Sequence, residues 1–164
     1  MGEHICFRRN ERLATVNPHW RGNPVVRGKF VNRQHRFRPG MGSVLKWRLS
    51  PNPQRKEKKS VKWSPKLNYL RSLDGVVGNS LIWLGHNSFF LQLGRKRIMF
   101  DPVFGDIPFV KRQSDFPANP DIFTDIDYLL ISHDHFDHLD KQSVARLVKN
   151  NPGMKLFCGL GTGE

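Results

Sequence analysis

The apolar residues that could form a core are concentrated in the second half of this chain of 164 residues. The first 80 residues are rich in Arg, Lys, Asn, Pro and Gly, and their apolar residues keep neither helical nor strand spacing for long. From Leu81 onward the sequence contains four runs typical of strands: residues 81–93, 97–102, 126–132 and 154–158. Since the length suits a single domain, we expect a folded domain over residues 81–164 that follows an irregular basic arm over residues 1–80.

The order of these runs predicts an α/β fold class. The first two runs flank Gly94-Arg95-Lys96 and predict a β-hairpin, and residues 126–132 predict a buried strand. Asp140 is a suitable N-cap for a helix over residues 141–149, which Asn151-Pro152-Gly153 would end. Three strands, a helix and a further strand, in this order, indicate a mixed α/β layer.

Charge divides the chain in the same way. The formal net charge is +13, and residues 1–80 carry 18 Lys and Arg against 4 Asp and Glu. No apolar run approaches the ~20 residues of a membrane-spanning helix, which excludes an integral membrane protein. The charged opening residues do not fit a secretory signal, and two cysteines do not suggest a disulfide framework. We therefore expect a cytoplasmic protein.

A cluster of ligand-type side chains follows the predicted buried strand. It comprises His133, His135, Asp137 and His138. Imidazole nitrogens and carboxylate oxygens are suitable zinc ligands. In an extended segment His133 and His135 project to one side, and Asp137 with His138 can address a second metal about 3.5–4 Å from the first. The sequence therefore predicts a metal site, with a solvated polar loop as the alternative.

With its flanking segments, this cluster resembles a known family. His133-x-His135-x-Asp137-His138 is similar to the metal-binding signature of the metallo-β-lactamase-fold hydrolases. The segments 83–88, 100–104 and 126–133 look like the branch that contains N-acylphosphatidylethanolamine-hydrolysing phospholipase D and its bacterial relatives, and residues 17–20 are similar to the amino-terminal arm of that branch. The resemblance covers most of residues 80–160.

The resemblance implies the amino-terminal half of an αβ/βα sandwich with two zinc ions at its edge. His133 and His135 would serve one ion, and Asp137 and His138 the other. Asp137 would also orient the bridging hydroxide and help to protonate the leaving oxygen. Imidazole and carboxylate ligands also accept iron or manganese, so these metals are alternatives to zinc.

Two further residues have predicted roles at this site. Asp101 is a carboxylate to which a ligating imidazole could donate its far N–H, although it could equally be a turn residue before Pro102. His86 is expected on the first hairpin strand, where it would face the substrate, with a packed, hydrogen-bonded histidine as the alternative.

The family pattern is incomplete in this sequence. The family adds a third histidine, a bridging aspartate and a last histidine downstream, whereas no histidine follows His138 here. We expect either part of a longer enzyme or a half-domain that pairs with another chain. In both cases this chain by itself would bind metal weakly and catalyse poorly.

The sequence therefore favours a zinc-dependent hydrolase of a phosphodiester or related ester, with a small molecule or a phospholipid as substrate. The basic arm, residues 1–80, would lie on an anionic membrane surface, which makes the protein peripheral to a membrane. One alternative is a nucleic-acid-binding or nuclease-type relative, because basic and aromatic residues alternate in the arm. The other is a non-catalytic fragment or scaffold whose arm is only a solvated basic surface. Lipid, sugar phosphate, lactone and nucleotide substrates all stay open, as does the oligomeric state.

Overall fold

The computed structural model describes residues 4–12, 17–31, 40–62, 65–108 and 112–162. The chain divides into two compact units, residues 1–62 and 63–164. The predicted domain bounds of 1–80 and 81–164 stay predictions.

A small antiparallel sheet forms the first part of unit 1. It contains β1 (Cys6–Arg8), β2 (Asn23–Val26) and β3 (Lys29–Phe30), in the order β1-β2-β3. The turn between β2 and β3 places Arg27 and Gly28 at φ +49° and +76°, the pair of positive values that a tight hairpin turn requires. Val25 and Val26 are buried on β2. The sequence analysis did not predict a sheet in the arm, because three strands of two to four residues are too short to produce a periodic pattern.

Two exposed helices complete the described part of unit 1. They are α1 (Met41–Leu49) and α2 (Arg55–Ser60), and neither contains a buried residue. The arm was expected to be irregular, and α2 corrects that expectation for residues 55–60. Arg, Lys and Glu all have high intrinsic helix propensity, so this segment forms a helical turn without burying any side chain.

Unit 2 contains a mixed five-stranded sheet. Its strands are β4 (Ser80–Gly85), β5 (Ser88–Leu93), β6 (Lys96–Phe100), β7 (Tyr128–Leu130) and β8 (Lys155–Phe157), in the order β4-β5-β6-β7-β8. The first three pair antiparallel, whereas β6, β7 and β8 pair in parallel. Helix α3 (Lys141–Asn150) connects β7 to β8, and a 3₁₀ turn (Pro120–Ile122) precedes β7. Asp140 caps α3 by accepting a hydrogen bond from Ser143 N at 3.0 Å, as predicted.

The predicted hairpin is a three-stranded meander. Residues 81–93 were expected as one strand, but they form β4 and β5, because Gly85 and His86 turn the chain at φ +98° and +48°. His86 therefore lies in a turn and not on a strand. This turn is at the edge of the sheet where β6 and β7 end, since Phe89 pairs with Phe100 and Phe100 with Leu130.

The core lies between one face of this sheet and the segments that cover it. Inward-facing side chains on neighbouring strands are fully buried: Leu84, Phe90, Met99 and Leu129. Leu147 of α3 and Phe123 pack against them.

Asn151 was predicted only to end the helix, but its side chain is buried and hydrogen-bonded. Its amide nitrogen donates to the carbonyls of Phe123 and Leu147 at 2.9 Å each, and its amide oxygen accepts from Ile126 N at 2.9 Å. This amide therefore joins α3 to the segment that leads into β7.

Candidate metal centre

Three segments bring polar side chains to one edge of the unit 2 sheet. The turn between β4 and β5 supplies His86 and Asn87, the end of β6 supplies Asp101, and residues 132–138 follow β7. The carboxyl ends of parallel strands such as β6 and β7 lie at the same edge, which explains why Asp101 and residues 132–138 meet. The candidate site is built from these three segments.

Asp101 is the buried anchor of the site. Its Oδ1 accepts from Ser132 N at 2.7 Å, and its Oδ2 accepts from Ser132 Oγ at 2.6 Å and from His138 Nδ1 at 2.9 Å. The residue has φ +40°, a conformation that a non-glycine residue seldom adopts. It is fixed there because its N–H donates to Leu130 O and its carbonyl accepts from the buried Ser88 Oγ. The structure thus places Asp101 where a ligating imidazole could donate to it.

These hydrogen bonds determine which nitrogen of His138 carries the proton. A carboxylate only accepts, so Nδ1 of His138 donates to Asp101, and Nε2 keeps its lone pair. The amide of Asn87 donates to that lone pair at 2.9 Å. Nε2 is therefore the nitrogen of His138 that can bind a metal.

Ser132 determines in the same way which nitrogen of His133 carries the proton. Its hydroxyl proton goes to Asp101, which leaves the oxygen to accept from His133 Nδ1 at 2.9 Å. His133 then also keeps its lone pair on Nε2. One buried carboxylate thus orients His138 directly and His133 through a serine.

Asp137 is held from the opposite side by the β4–β5 turn. His86 Nε2 donates to Asp137 Oδ2 at 3.0 Å, and this hydrogen bond is the main cause that lowers the pKa of Asp137 from its usual value. Trp83 Nε1 donates to His86 O at 2.9 Å and fixes the turn. The prediction that His86 faces the substrate stays untested, but the structure gives this histidine a definite partner.

The four predicted ligands lie close together. The ring centroids of His133 and His138 are 4.0 Å apart, and those of His133 and His135 are 4.5 Å apart. Asp137 Oδ2 and His138 Nε2 are separated by 3.8 Å. Two ligand atoms of a tetrahedral zinc ion with bonds of about 2.0–2.1 Å lie about 3.4 Å apart, so the last pair is near the spacing that one ion needs.

The donor set fits a divalent cation in its chemistry. It offers three imidazoles and a carboxylate, with the far nitrogens of two imidazoles held by Asp101 and Ser132. Among the residues that the structure describes, no three His, Cys, Asp or Glu side chains already converge on one point. Loading a metal therefore requires shifts of the side chains, for example of Asn87 away from His138.

Sequence reasoning missed three residues of this site: Asn87, Ser88 and Ser132. Each is small, polar and located at a strand end, which is also the usual pattern of turn residues. Their roles depend on hydrogen bonds to residues 13–51 positions away, or on a contact with an adjacent histidine that no periodicity reveals. The signal available in the sequence was their position beside the predicted site residues.

Fold and site together define an α/β protein with a cluster of histidine and aspartate side chains where β6 and β7 end. Residues 80–154 match the family model of the beta-lactamase superfamily domain. The resemblance in the sequence is thereby confirmed over these residues, as is the α/β fold class.

Two relatives illustrate the similarity. The N-acyl-phosphatidylethanolamine-hydrolyzing phospholipase D 1 of Caenorhabditis elegans is 29% identical over 154 residues, which are 84% of this chain and 43% of the relative. A UPF0173 metal-dependent hydrolase of Saccharolobus solfataricus is 35% identical over 77 residues, 47% of this chain and 31% of the relative. The chain thus spans less than half the length of these two relatives.

Among solved structures, the diiron β-hydroxylase CmlA from Streptomyces venezuelae matches with a TM-score of 0.39 and 19% identity. The match covers 69% of this chain and 20% of CmlA. At this level of similarity the comparison does not bear on function.

Proposed function

We propose that this chain carries the first metal-binding part of a metal-dependent hydrolase that acts on a phosphodiester or related ester, with zinc as the metal. The observation that carries the proposal is the contact of buried Asp101 with Nδ1 of His138, because it leaves the lone pair on Nε2, where a metal ligand needs it. The match of residues 80–154 to the family model of the beta-lactamase superfamily domain supports it. The relatives named as a phospholipase D and as a metal-dependent hydrolase support the reaction class.

In this proposal His133 and His135 hold one cation, and Asp137 and His138 hold the other. A bound zinc would polarise the ester and make a water more acidic near neutral pH. The chain's own residues prepare the site. Asp101 and Ser132 keep the lone pairs of His138 and His133 on Nε2. The hydrogen bond from His86 lowers the pKa of Asp137, which favours the ionised carboxylate that a metal ligand must be.

Metal binding tests the proposal. After equilibration with zinc and removal of free metal, we expect the wild-type protein to retain metal and His135→Ala to lose affinity by at least the ~10–100-fold seen when an outer-shell partner is removed. The measurement is metal content by mass spectrometry together with a zinc titration. His19→Ala, an exposed histidine in unit 1, is the matched control and should leave affinity unchanged. No retained metal in wild type and variant alike contradicts the proposal.

We propose that the substrate is a phospholipid or another small-molecule ester. We also propose that the protein is cytoplasmic and contacts an anionic membrane surface through residues 1–80. Exposed apolar side chains on α1, among them Met41 (84% exposed) and Trp47 (79%), stand beside basic ones. The exposed helix α2 carries four basic residues. In the described residues no helix has the length and hydrophobicity needed to cross a bilayer, so contact would be with the surface.

Vesicle pelleting tests this partner. Since a basic residue near an anionic surface contributes about 1 kcal/mol, reversing Lys58 and Lys59 to Glu should lower binding to phosphatidylglycerol vesicles by at least about 30-fold. Neutral phosphatidylcholine vesicles should not bind the protein, and high salt should release it from the anionic ones. Reversal of Lys155 to Glu, in unit 2, is the control. Salt-sensitive binding to single-stranded RNA without binding to vesicles would favour the nucleic-acid alternative instead.

A further inference from the structure

A cleft of about 560 Å³ lies beside β4 in unit 2. Apolar side chains form much of its wall, and several are well exposed although they are large. Leu81 is 66% exposed, Trp83 54% and Leu67 42%. The outer face of β4 thus presents apolar surface toward an open space that can hold a small molecule.

Arg112 adds a cation to this cleft, held in a fixed orientation. Its Nε donates to Gly105 O at 2.8 Å, and its Nη2 donates to Val103 O at 2.5 Å. The guanidinium carbon lies 6.0 Å from the centre of the Phe116 ring. Two backbone hydrogen bonds and an aromatic neighbour hold the planar group, so it presents the two N–H groups of Nη1 without a further loss of side-chain freedom.

The charge of Arg112 is only partly balanced in the described part of unit 2. No carboxylate there forms an ion pair with it, and Nη1 donates to no acceptor among the described residues. Burial lowers the pKa of Arg112, and Asp106 only partly opposes this effect. Lys66 and Asp115 also line the cleft, and their charges offset each other. A half-buried cation of this kind favours an anionic ligand.

Nη1 of Arg112 lies next to the candidate metal centre. A Cβ placed on Gly85 would be 3.6 Å from Nη1, and Gly85 directly precedes His86, whose ring contacts Asp137. His86 lines the cleft as well. A molecule in this cleft therefore has one end on β4 and its charged end beside the turn that holds Asp137.

We propose that the cleft beside β4 binds an organic anion, with Nη1 of Arg112 holding a phosphate or carboxylate group and Leu81 and Trp83 contacting its apolar part. The proposed ligand class is a small amphiphile that has one acidic group and an apolar chain. The guanidinium of Arg112 would select the acidic group. The role of this ligand as a substrate rests on the proposed function, whereas its binding does not. Arg112 is in that case a residue that determines specificity.

Calorimetric titration of the EDTA-treated, metal-free protein tests the binding site. Hexyl phosphate is the probe, and hexanoate, 1-hexanol and inorganic phosphate are the comparison ligands. We expect hexyl phosphate to bind at least about 10-fold more tightly than 1-hexanol and than inorganic phosphate, because only hexyl phosphate uses both parts of the cleft. Hexanoate shows whether the head must be a phosphate. Equal affinity for hexyl phosphate and inorganic phosphate overturns the proposal.

Two variants measure separately how the charge of Arg112 and the apolar wall contribute to hexyl phosphate binding. Arg112→Gln should remove the preference for hexyl phosphate over 1-hexanol, while Arg95→Gln, an arginine outside the cleft, should keep it. Leu81→Ser should lower hexyl phosphate affinity about threefold or more and leave that for inorganic phosphate unchanged. Unchanged binding by a folded Arg112→Gln variant overturns the proposal. If that variant does not fold, unchanged hexyl phosphate binding by Leu81→Ser, whose side chain is largely exposed, overturns it equally.

Because the titration uses metal-free protein, its outcome is independent of the metal test. Binding of hexyl phosphate without metal retention would support the cleft and contradict the metal-dependent hydrolase. Metal retention without hexyl phosphate binding would support the metal-dependent hydrolase and contradict the proposed ligand site in the cleft.

Discussion

Replacing Phe123 with alanine is expected to lower the free energy of unfolding of unit 2 by about 3–5 kcal/mol, the usual cost of removing a buried aromatic ring. Phe123 is fully buried, and its ring stacks on Phe104 with centroids 5.8 Å apart and planes at 10°. Phe90 and Phe116 contact it at 6.0 and 6.3 Å. Alanine would leave a cavity surrounded by three aromatic rings that cannot all close over it. Urea unfolding followed by circular dichroism measures the change.

The matched control is Phe157→Ala. Phe157 lies on β8, is 54% exposed and contacts only the Tyr128 ring among the described aromatic groups. Its loss should cost about 1 kcal/mol. Similar losses for both variants would mean that Phe123 does not have the central packing role that its burial indicates.

The packing position of Phe123 shows the limit of what the sequence reveals about the core. The strands β7 and β8 and helix α3 were predicted from continuous or helical apolar patterns, because local periodicity reports which face of an element is buried. Phe123 lies after a short 3₁₀ turn in a connection without periodicity. Its burial results from contacts with residues far away in the sequence, such as Phe90, and only tertiary structure determines these contacts.

The turn at His86 illustrates a second limit. Residues 81–93 are apolar or aromatic over most of their length, so the pattern is that of one strand, and a turn without Pro, Asp or an Asn-Gly pair leaves little signal. The structure bends the chain at Gly85, a glycine with φ +98°, and places His86 at φ +48°. Strained non-glycine residues of this kind often occur at functional sites. His86 and Asp101 both have positive φ values, and both contact predicted ligands.

The four candidate ligands could be proposed from the sequence alone. His133, His135, Asp137 and His138 are local in the chain, and ligand chemistry depends on residue type and spacing. What holds them is not local. Asp101 is more than 30 residues away, and its contact with His138 follows from the parallel pairing of β6 with β7. A role for Asp101 could be predicted only as one of two alternatives, and the geometry favours contact with an imidazole.

Asp101→Asn is expected to weaken metal binding by about 10–100-fold while the protein stays folded. An asparagine can still accept from Ser132 N through its oxygen, so the backbone contact survives. Its NH₂ group, however, would face His138 Nδ1 and donate to it. His138 would then carry its proton on Nε2, the nitrogen that a metal requires. The change therefore removes a ligand by reversing the tautomer and not by removing a side chain.

Nitrogen NMR of the imidazole rings detects the tautomer directly, and a zinc titration measures the affinity. Asp134→Asn is the matched control, because Asp134 is an exposed aspartate in the same loop and should change neither result. Asp101→Ala should also destabilise unit 2 by about 1–3 kcal/mol, since Ser132 N loses its acceptor. A His138 ring that keeps its proton on Nδ1 in Asp101→Asn, together with unchanged zinc affinity, would show that Asp101 supports the loop without orienting a ligand. A reversed tautomer with weakened zinc binding would instead make Asp101 the residue through which the sheet controls the metal centre.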